Sequence, residues 1–437
     1  MTNATPAELA SRDPNRVPRA EAEEDLPIIR LRLGGIAMVD SLTSDQPAEK
    51  GEVEALTPAG EIEHTSLELG RIATRVVVGK PEKIAGTEGF YNPAAWRVGD
   101  KTYLLGRFIE MAGEGPASDK EQPRTNNGEP IVPVEPDVGP LVRKVLGPDG
   151  KIIPGLTREV WRPEVGKPSF EDFRALMLDD GRLIFGLTAV EDGIPYPAML
   201  VTTTEKLNDG TPIEPQIIKA LGGGDQTTPL GEIGSSTAGK NVTVIDEQTF
   251  MYRPQGPENR HLFRVFDIVD GSVTHRYDIN LPKDKKWAQW AIGTCMSPEW
   301  TDKTKREAFM LIHGSSIVDE KYEYSIASAR LFKDENGVLS IDNIDEDPLL
   351  TLALFEDVVQ RHPGRDALYV VGGIPYRDED GNLVRIDAYP SPGDGRTDKA
   401  VLDPREIIKN WKGLNWPWPT NLRKQYSTYN PGFQKLK

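Results

Sequence analysis

Cysteine is almost absent from this chain of 437 residues, in which Cys295 stands alone. A single thiol excludes an intramolecular disulfide framework and a cysteine-rich zinc site, and a free cysteine is most often a small buried apolar residue. Histidine is scarce as well. The five copies, His64, His261, His275, His313 and His362, contain no pair at the helical spacing of a metal site, so neither a metal nor another cofactor is expected. Positive charge is also short: 52 Lys and Arg face 68 Asp and Glu, for a net charge of -16. No basic stripe offsets that balance, which argues against nucleic acid and against an anionic membrane as partners. No apolar run reaches the ~18 residues that span a bilayer. The opening Met1-Thr2-Asn3-Ala4-Thr5-Pro6 has neither the basic nor the apolar region of a signal peptide. A soluble, cytoplasmic protein is the expectation.

Amphipathic helix is sparse, and Pro404 to Trp411 is its best candidate, with Asp403 as N-cap and proline at the first helical position. The cluster Gly222-Gly223-Gly224-Asp225 lacks the Gly-Lys-Ser/Thr and the helix that a phosphate loop requires. Ser315-Ser316 lie beside His313 but without the strand-turn-helix setting of a hydrolase nucleophile.

What the chain does have is turns. Its 41 Gly and 36 Pro are the usage of a loop-rich β protein. A phrase of apolar run, tight polar turn and second apolar run recurs, first as Asn92 to Val98, Gly99-Asp100-Lys101 and Thr102 to Arg107. It returns from Asp172 to Leu187 around Asp179-Asp180-Gly181-Arg182, from Val242 to Arg253 around Asp246-Glu247-Gln248, and from Ile374 to Tyr389 around Asp378 to Asn382. Ala308 to His313 reads as the second strand of a further copy, with its turn near Lys303 to Lys305. Hairpins recurring every ~60–80 residues point to one supersecondary unit used several times, as in a propeller. Polar residues at the strand ends would then converge on one central pocket.

The expected organisation is a partly disordered N-terminal extension over 1–66, with a short strand at Leu26 to Leu33 and an acidic excursion from Asp45 to His64. A propeller over 67–402 follows, its strand pattern dense from Leu67 to Val78, and an aromatic, basic closing segment fills 403–437. The Gly- and Pro-rich stretches Gly113 to Pro140 and Gly222 to Lys240 read as long loops.

Four of these stretches together resemble glycoside hydrolase family 130, the mannoside phosphorylases and mannosidases. They are Phe90-Tyr91-Asn92-Pro93-Ala94 through Arg107, Phe170-Glu171-Asp172-Phe173-Arg174, Phe250-Met251-Tyr252-Arg253-Pro254, and Phe309-Met310-Leu311-Ile312-His313-Gly314 with its sequel to Leu350. Two departures stand out: Phe173 occupies the place of a proline after the aspartate, and Lys240-Asn241 stand where a Leu-Phe-Pro element with a basic residue would be.

The resemblance implies an all-β, five-bladed β-propeller that cleaves β-mannosides or related oligosaccharides by inverting phosphorolysis. In that scheme Asp172 matches the general acid, with Glu171 beside it to favour its protonated form. Lys240, Arg253 and His313 would hold inorganic phosphate as co-substrate. Asn92, Arg107, Glu171, Arg174 and Asp394 would contact the sugar. The alternatives are an inverting hydrolase that uses water and a carbohydrate-binding propeller without catalysis. Sugar, linkage and assembly into a homo-oligomer stay open.

Overall fold

The computed structural model describes residues 76–413, save 110–138, 165, 210, 212, 219–227, 230–237, 319–320 and 359–364. All of these belong to the unit Leu69–Lys437. The expected strand at Leu26 to Leu33, the N-terminal extension, most of both long loops and the tail beyond residue 413 lie outside the described residues.

Five β-sheets follow one another along the chain. The first blade holds Phe90–Val98, Lys101–Phe108, Leu141–Leu146 and Arg158–Trp161; the second Ser169–Met177, Arg182–Glu191, Ile194–Thr203 and Gln216–Ile217. The third runs from Gly239–Val244 through Thr249–Pro254 and Leu262–Val269 to Ser272–Asn280, with Thr228–Pro229 at its edge. In the fourth, Ala291–Thr294 and Glu299–Trp300 share the inner position against Glu307–Val318, and Lys321–Lys333 and Leu339–Asp342 follow. The fifth is built from Leu368–Arg377, Leu383–Pro392, Asp398–Leu402 and Glu82–Lys83. The expected turns at Gly99-Asp100, Asp180-Gly181, Asp246-Glu247, Lys303 to Lys305 and Asp380-Gly381 each join the innermost strand of a blade to the second.

The ring closes through sequence ends. Glu82 and Lys83 pair with Lys399 and Asp398, so a strand from before the first blade completes the last one. In the described part of the strand expected over Leu67 to Val78, Val77 bridges to Leu402, with the Val78 N–H donating to the Val401 carbonyl and the Asp403 N–H to the Val76 carbonyl. The inner strand Phe90–Val98 packs against Ser169–Met177 on one side and Leu368–Arg377 on the other. That second approach needs Gly372, where a β-carbon would overlap the Pro93 carbonyl and the backbone of Ala95.

The core is five-fold, one apolar cluster between each pair of neighbouring blades. Trp96, Leu105, Phe173 and Phe185 fill the first seam, Ile184, Val242, Phe250 and Phe266 the second, and Met251, Phe263, Ile292 and Met310 the third. Phe309, Leu311, Leu368 and Ile386 fill the fourth and Phe90, Leu104, Ile374 and Tyr389 the fifth. Along Glu307–Val318, Ala308, Met310 and Ile312 face the third blade while Phe309 and Leu311 face the fifth. Both faces are buried, hence the continuous apolar run rather than an alternating one. The expected helix forms as Arg405–Gly413, with Asp403 Oδ1 accepting the Arg405 N–H at 3.1 Å. Ile407, Ile408 and Trp411 dock on the fourth seam.

Candidate functional site

Four inner strands break register at the same place, those of the first, second, third and fifth blades, and in three of them the bulge carries a polar residue. A bulge leaves Asn92-Pro93, Asp172-Phe173 and Asn241-Val242 outside the ladders of the first three blades. At each the polar residue turns left-handed, with φ of 49°, 57° and 63°. Asn and Asp tolerate that region better than other residues with a side chain. The kinks bring three polar side chains to one end of the ring.

Asn92 donates from Nδ2 to Asp172 Oδ1 at 3.2 Å, and its backbone N–H is held by Ser391 Oγ of the fifth blade at 2.7 Å. Arg107 sets Nη1 2.8 Å from Glu171 Oε2 and Nη2 3.8 Å from Asp172 Oδ1, its guanidinium 4.7 Å from the Tyr91 ring centre. These contacts fall on one oxygen of Asp172; Oδ2 has no protein partner among the described residues, and the side chain keeps 13% of its exposure. Burial opposes the charge on Arg107, but Tyr91 and the carboxylates of Glu171, Asp172 and Asp394 outweigh it and raise its pKa above the ordinary arginine value. Asp394, itself left-handed at φ 54°, thus joins this group from the fifth blade.

A second, cationic group adjoins the first. Lys240 and Arg253 are cross-strand partners in the third blade, and both act electrostatically on His313 of the fourth. His313 is buried, and desolvation reinforced by Arg253, Arg174 and Lys240 pushes its pKa well below the ordinary histidine value. It is therefore neutral. A carbonyl can only accept, so the 3.2 Å contact to the Thr294 carbonyl assigns the proton to Nδ1 and leaves Nε2 an acceptor. Tyr369 meets the ring edge-on at 5.2 Å.

Arg174 joins the two groups. Its fully buried guanidinium donates to the carbonyls of Cys295, Asp172 (2.7 Å) and Thr294 (3.0 Å), and to Asn241 Oδ1 at 3.4 Å. Four of its five N–H donors are spent on these protein acceptors. This departs from the expected sugar contact: the guanidinium fixes the Asp172 kink to the fourth blade instead. Burial lowers its pKa despite the nearby carboxylates of Asp172 and Glu171.

The sequence reading gave Asn241 no role of its own. Its Nδ2 is buried with no hydrogen-bond partner among the described residues. A buried donor left unsatisfied costs about 1–3 kcal/mol, so the site is built for an acceptor that a ligand or water supplies. Gly293 makes the room, because a β-carbon there would overlap the His313 ring and Asn241 Nδ2. The signal for Asn241 lay in the repeat, where it falls in step with Asn92 and Asp172. Phe173, the departure beside the aspartate, packs edge-on against Phe185 at 5.7 Å in the seam core and leaves the kink intact. Among the described residues no group of His, Cys, Asp and Glu is arranged to hold a metal ion, and no helix is long and apolar enough to cross a membrane.

Among solved structures, the β-1,2-mannobiose phosphorylase of Listeria innocua, in complex with β-1,2-mannobiose, is similar over 75% of this chain and 93% of its own, at 14% identity and a TM-score of 0.51. The shared fold is a five-bladed β-propeller. A glycosyl hydrolase of Bacteroides ovatus aligns over 73% of this chain and 85% of that one at 13% identity, with a TM-score of 0.48. A structure from the GH130 family of mannoside phosphorylases, which contains glycoside hydrolases that target β-1,2 mannosidic linkages in Candida mannan, aligns over the same shares at 14% and 0.48. At these identities the propeller is shared and the chemistry is not thereby given. No family model matches the sequence, and no curated protein does.

Proposed function

We propose that this propeller cleaves glycosidic bonds, with Asp172 as the general acid and phosphate as the nucleophile, acting on β-mannosides or related oligosaccharides. The observation that carries the reading is the pairing of a kinked carboxylate, open at Oδ2, with the adjoining cationic group of Lys240 and Arg253. Protonated at Oδ2, Asp172 gives its proton to the leaving glycosidic oxygen. A phosphate oxygen attacks the anomeric carbon from the opposite face, the bond to the leaving oxygen breaks, and sugar 1-phosphate departs with inverted configuration. Asp172 is left as the carboxylate and regains its proton from water. Asn92 and Arg107 hold the carboxylate in place; Arg174 holds its backbone.

Lys240 and Arg253 supply the charge for phosphate, and Asn241 Nδ2 a neutral donor. Neutral His313 is not a third cation. Through Nε2 it accepts a hydrogen bond from a hydroxyl of the sugar or of protonated phosphate. The test is product analysis on a panel of mannosides, with and without phosphate. Sugar 1-phosphate formed only with phosphate supports the reading, reducing sugar formed at equal rate without it transfers the assignment to hydrolysis, and inertness toward every glycoside leaves a binding propeller.

A further inference from the structure

A cavity of about 670 Å³ opens where the ring is closed, between the outer strands of the first and fifth blades. None of the residues described above at the central site lines it. The first blade contributes Lys144 and the turn Pro148 to Arg158, and the fifth contributes Glu82 to Gly86 and Lys399. Lys83, Lys144, Lys151, Arg158 and Lys399 face two acids, Glu82 and Asp149, in a chain whose net charge is -16. Two of the five cations are balanced from outside the lining: Lys83 by Glu88 at 3.1 Å and Lys399 by Asp387 at 2.8 Å. Lys151 and Arg158 form no ion pair among the described residues. Lys144 is only 2% exposed, its Nζ fixed 2.7 Å from the Gly86 carbonyl and 5.5 Å from the Phe90 ring centre. A lysine is seldom buried so deeply, and the Glu88 carboxylate interacts with it electrostatically.

The geometry points to a site for a sugar phosphate at this seam. The cations suit a phosphomonoester dianion. The volume falls in the range of small-molecule sites and exceeds what phosphate alone would fill. Ile84 and Ile152 supply apolar surface for the face of a sugar ring. A ligand here touches both the first blade and the strand that completes the fifth, so its binding ties the ring shut. The site is independent of whichever reaction the central site performs.

The experiment uses the full chain with glucose 6-phosphate, glucose and inorganic phosphate as probes, read by calorimetry and by thermal midpoint. Glucose 6-phosphate binds and, at about 100 times its dissociation constant, raises the midpoint by about 5 °C. The double variant Lys151→Glu, Arg158→Glu weakens that binding about tenfold or more, and Arg253→Ala leaves it unchanged. Should the charge reversal lower the ligand-free midpoint, the milder pair Lys151→Ala, Arg158→Ala replaces it. Absence of binding, equal binding by wild type and seam variants, or loss of binding in Arg253→Ala each overturns the proposal. Inorganic phosphate binding to Arg253→Ala, whose central phosphate site is impaired, as tightly as the sugar phosphate does overturns the assignment of the ligand.

Discussion

Replacing Asp172 by Asn separates chemistry from architecture at this position. The residue sits at φ 57°, where Asn is as well suited as Asp, while Ala would add a left-handed cost of about 1–2 kcal/mol. Asn keeps an oxygen to accept from Asn92 Nδ2, and Arg107 keeps its closer partner, Glu171, at 2.8 Å. What is lost in the fold is the looser 3.8 Å attraction to Arg107 at a site that retains some solvent. That costs about 1 kcal/mol at most, or roughly 2 °C in midpoint. What is lost in catalysis is the proton. Removing a general acid slows turnover by about 10²–10⁴-fold, equivalent to about 2.7–5.4 kcal/mol of barrier. The two magnitudes differ enough to tell the roles apart. The assay compares turnover of a natural mannoside disaccharide with that of a dinitrophenyl mannoside, whose leaving group needs no protonation, beside a melting curve. Asp172→Asn should lose the first activity, keep much of the second and melt near wild type. Full activity on the disaccharide would refute the assignment; a collapsed melting curve would refute the reading of the kink as tolerant of Asn.

Three further outcomes are expected. Arg253→Ala should raise the KM for phosphate about 10–100-fold, the worth of a charge-assisted hydrogen bond, and initial rates across a phosphate series would expose an unchanged KM. Gly293→Ala should destabilise by about 1–3 kcal/mol and depress activity, because its methyl overlaps the His313 ring and Asn241; a midpoint and rate equal to wild type would contradict that packing. Burial pushes the Glu299 carboxyl up to about 8 from 4.5, and Arg377, 3.4 Å away, offsets this only in part. The folded state thus binds the proton more tightly than the unfolded one, a stabilisation present below pH 4.5 and lost as pH rises through 8. Glu299→Gln should flatten this part of the pH dependence in denaturant titrations, and parallel curves for the two proteins would show the carboxyl to be ordinary.

The fold was legible because its turns and its cores write the same pattern. Turn residues such as Gly99, Gly181 and Gly381 take left-handed φ in the structure, and each joins strands whose apolar faces fill a seam. Charged side chains at the strand ends were legible only as candidates. Arg174 read as a ligand contact because an arginine is buried only where acceptors wait for it, and those acceptors are carbonyls of Cys295 and Thr294, 121 and 120 residues further on. The neutrality of His313 was hidden for a similar reason, since it depends on Arg253, Arg174 and Lys240 arriving from other blades. The seam cavity draws on segments from both ends of the ring, and no local motif announces it.

The three kinks also explain why one carboxylate among them can be singled out. All three positions require a residue that accepts a left-handed backbone, which favours Asn or Asp equally. Their surroundings break the tie. An amide both donates and accepts, and Asn92 donates to Asp172 while Asn241 accepts from Arg174. A carboxylate at position 92 would set like charges together beside Asp172, and one at position 241 would neutralise the cations around Lys240 and Arg253. Asp at position 172 alone has an arginine and an amide on one oxygen and open space at the other. The repeat supplies the backbone three times, and charge complementarity leaves one of the three places where a carboxylate fits.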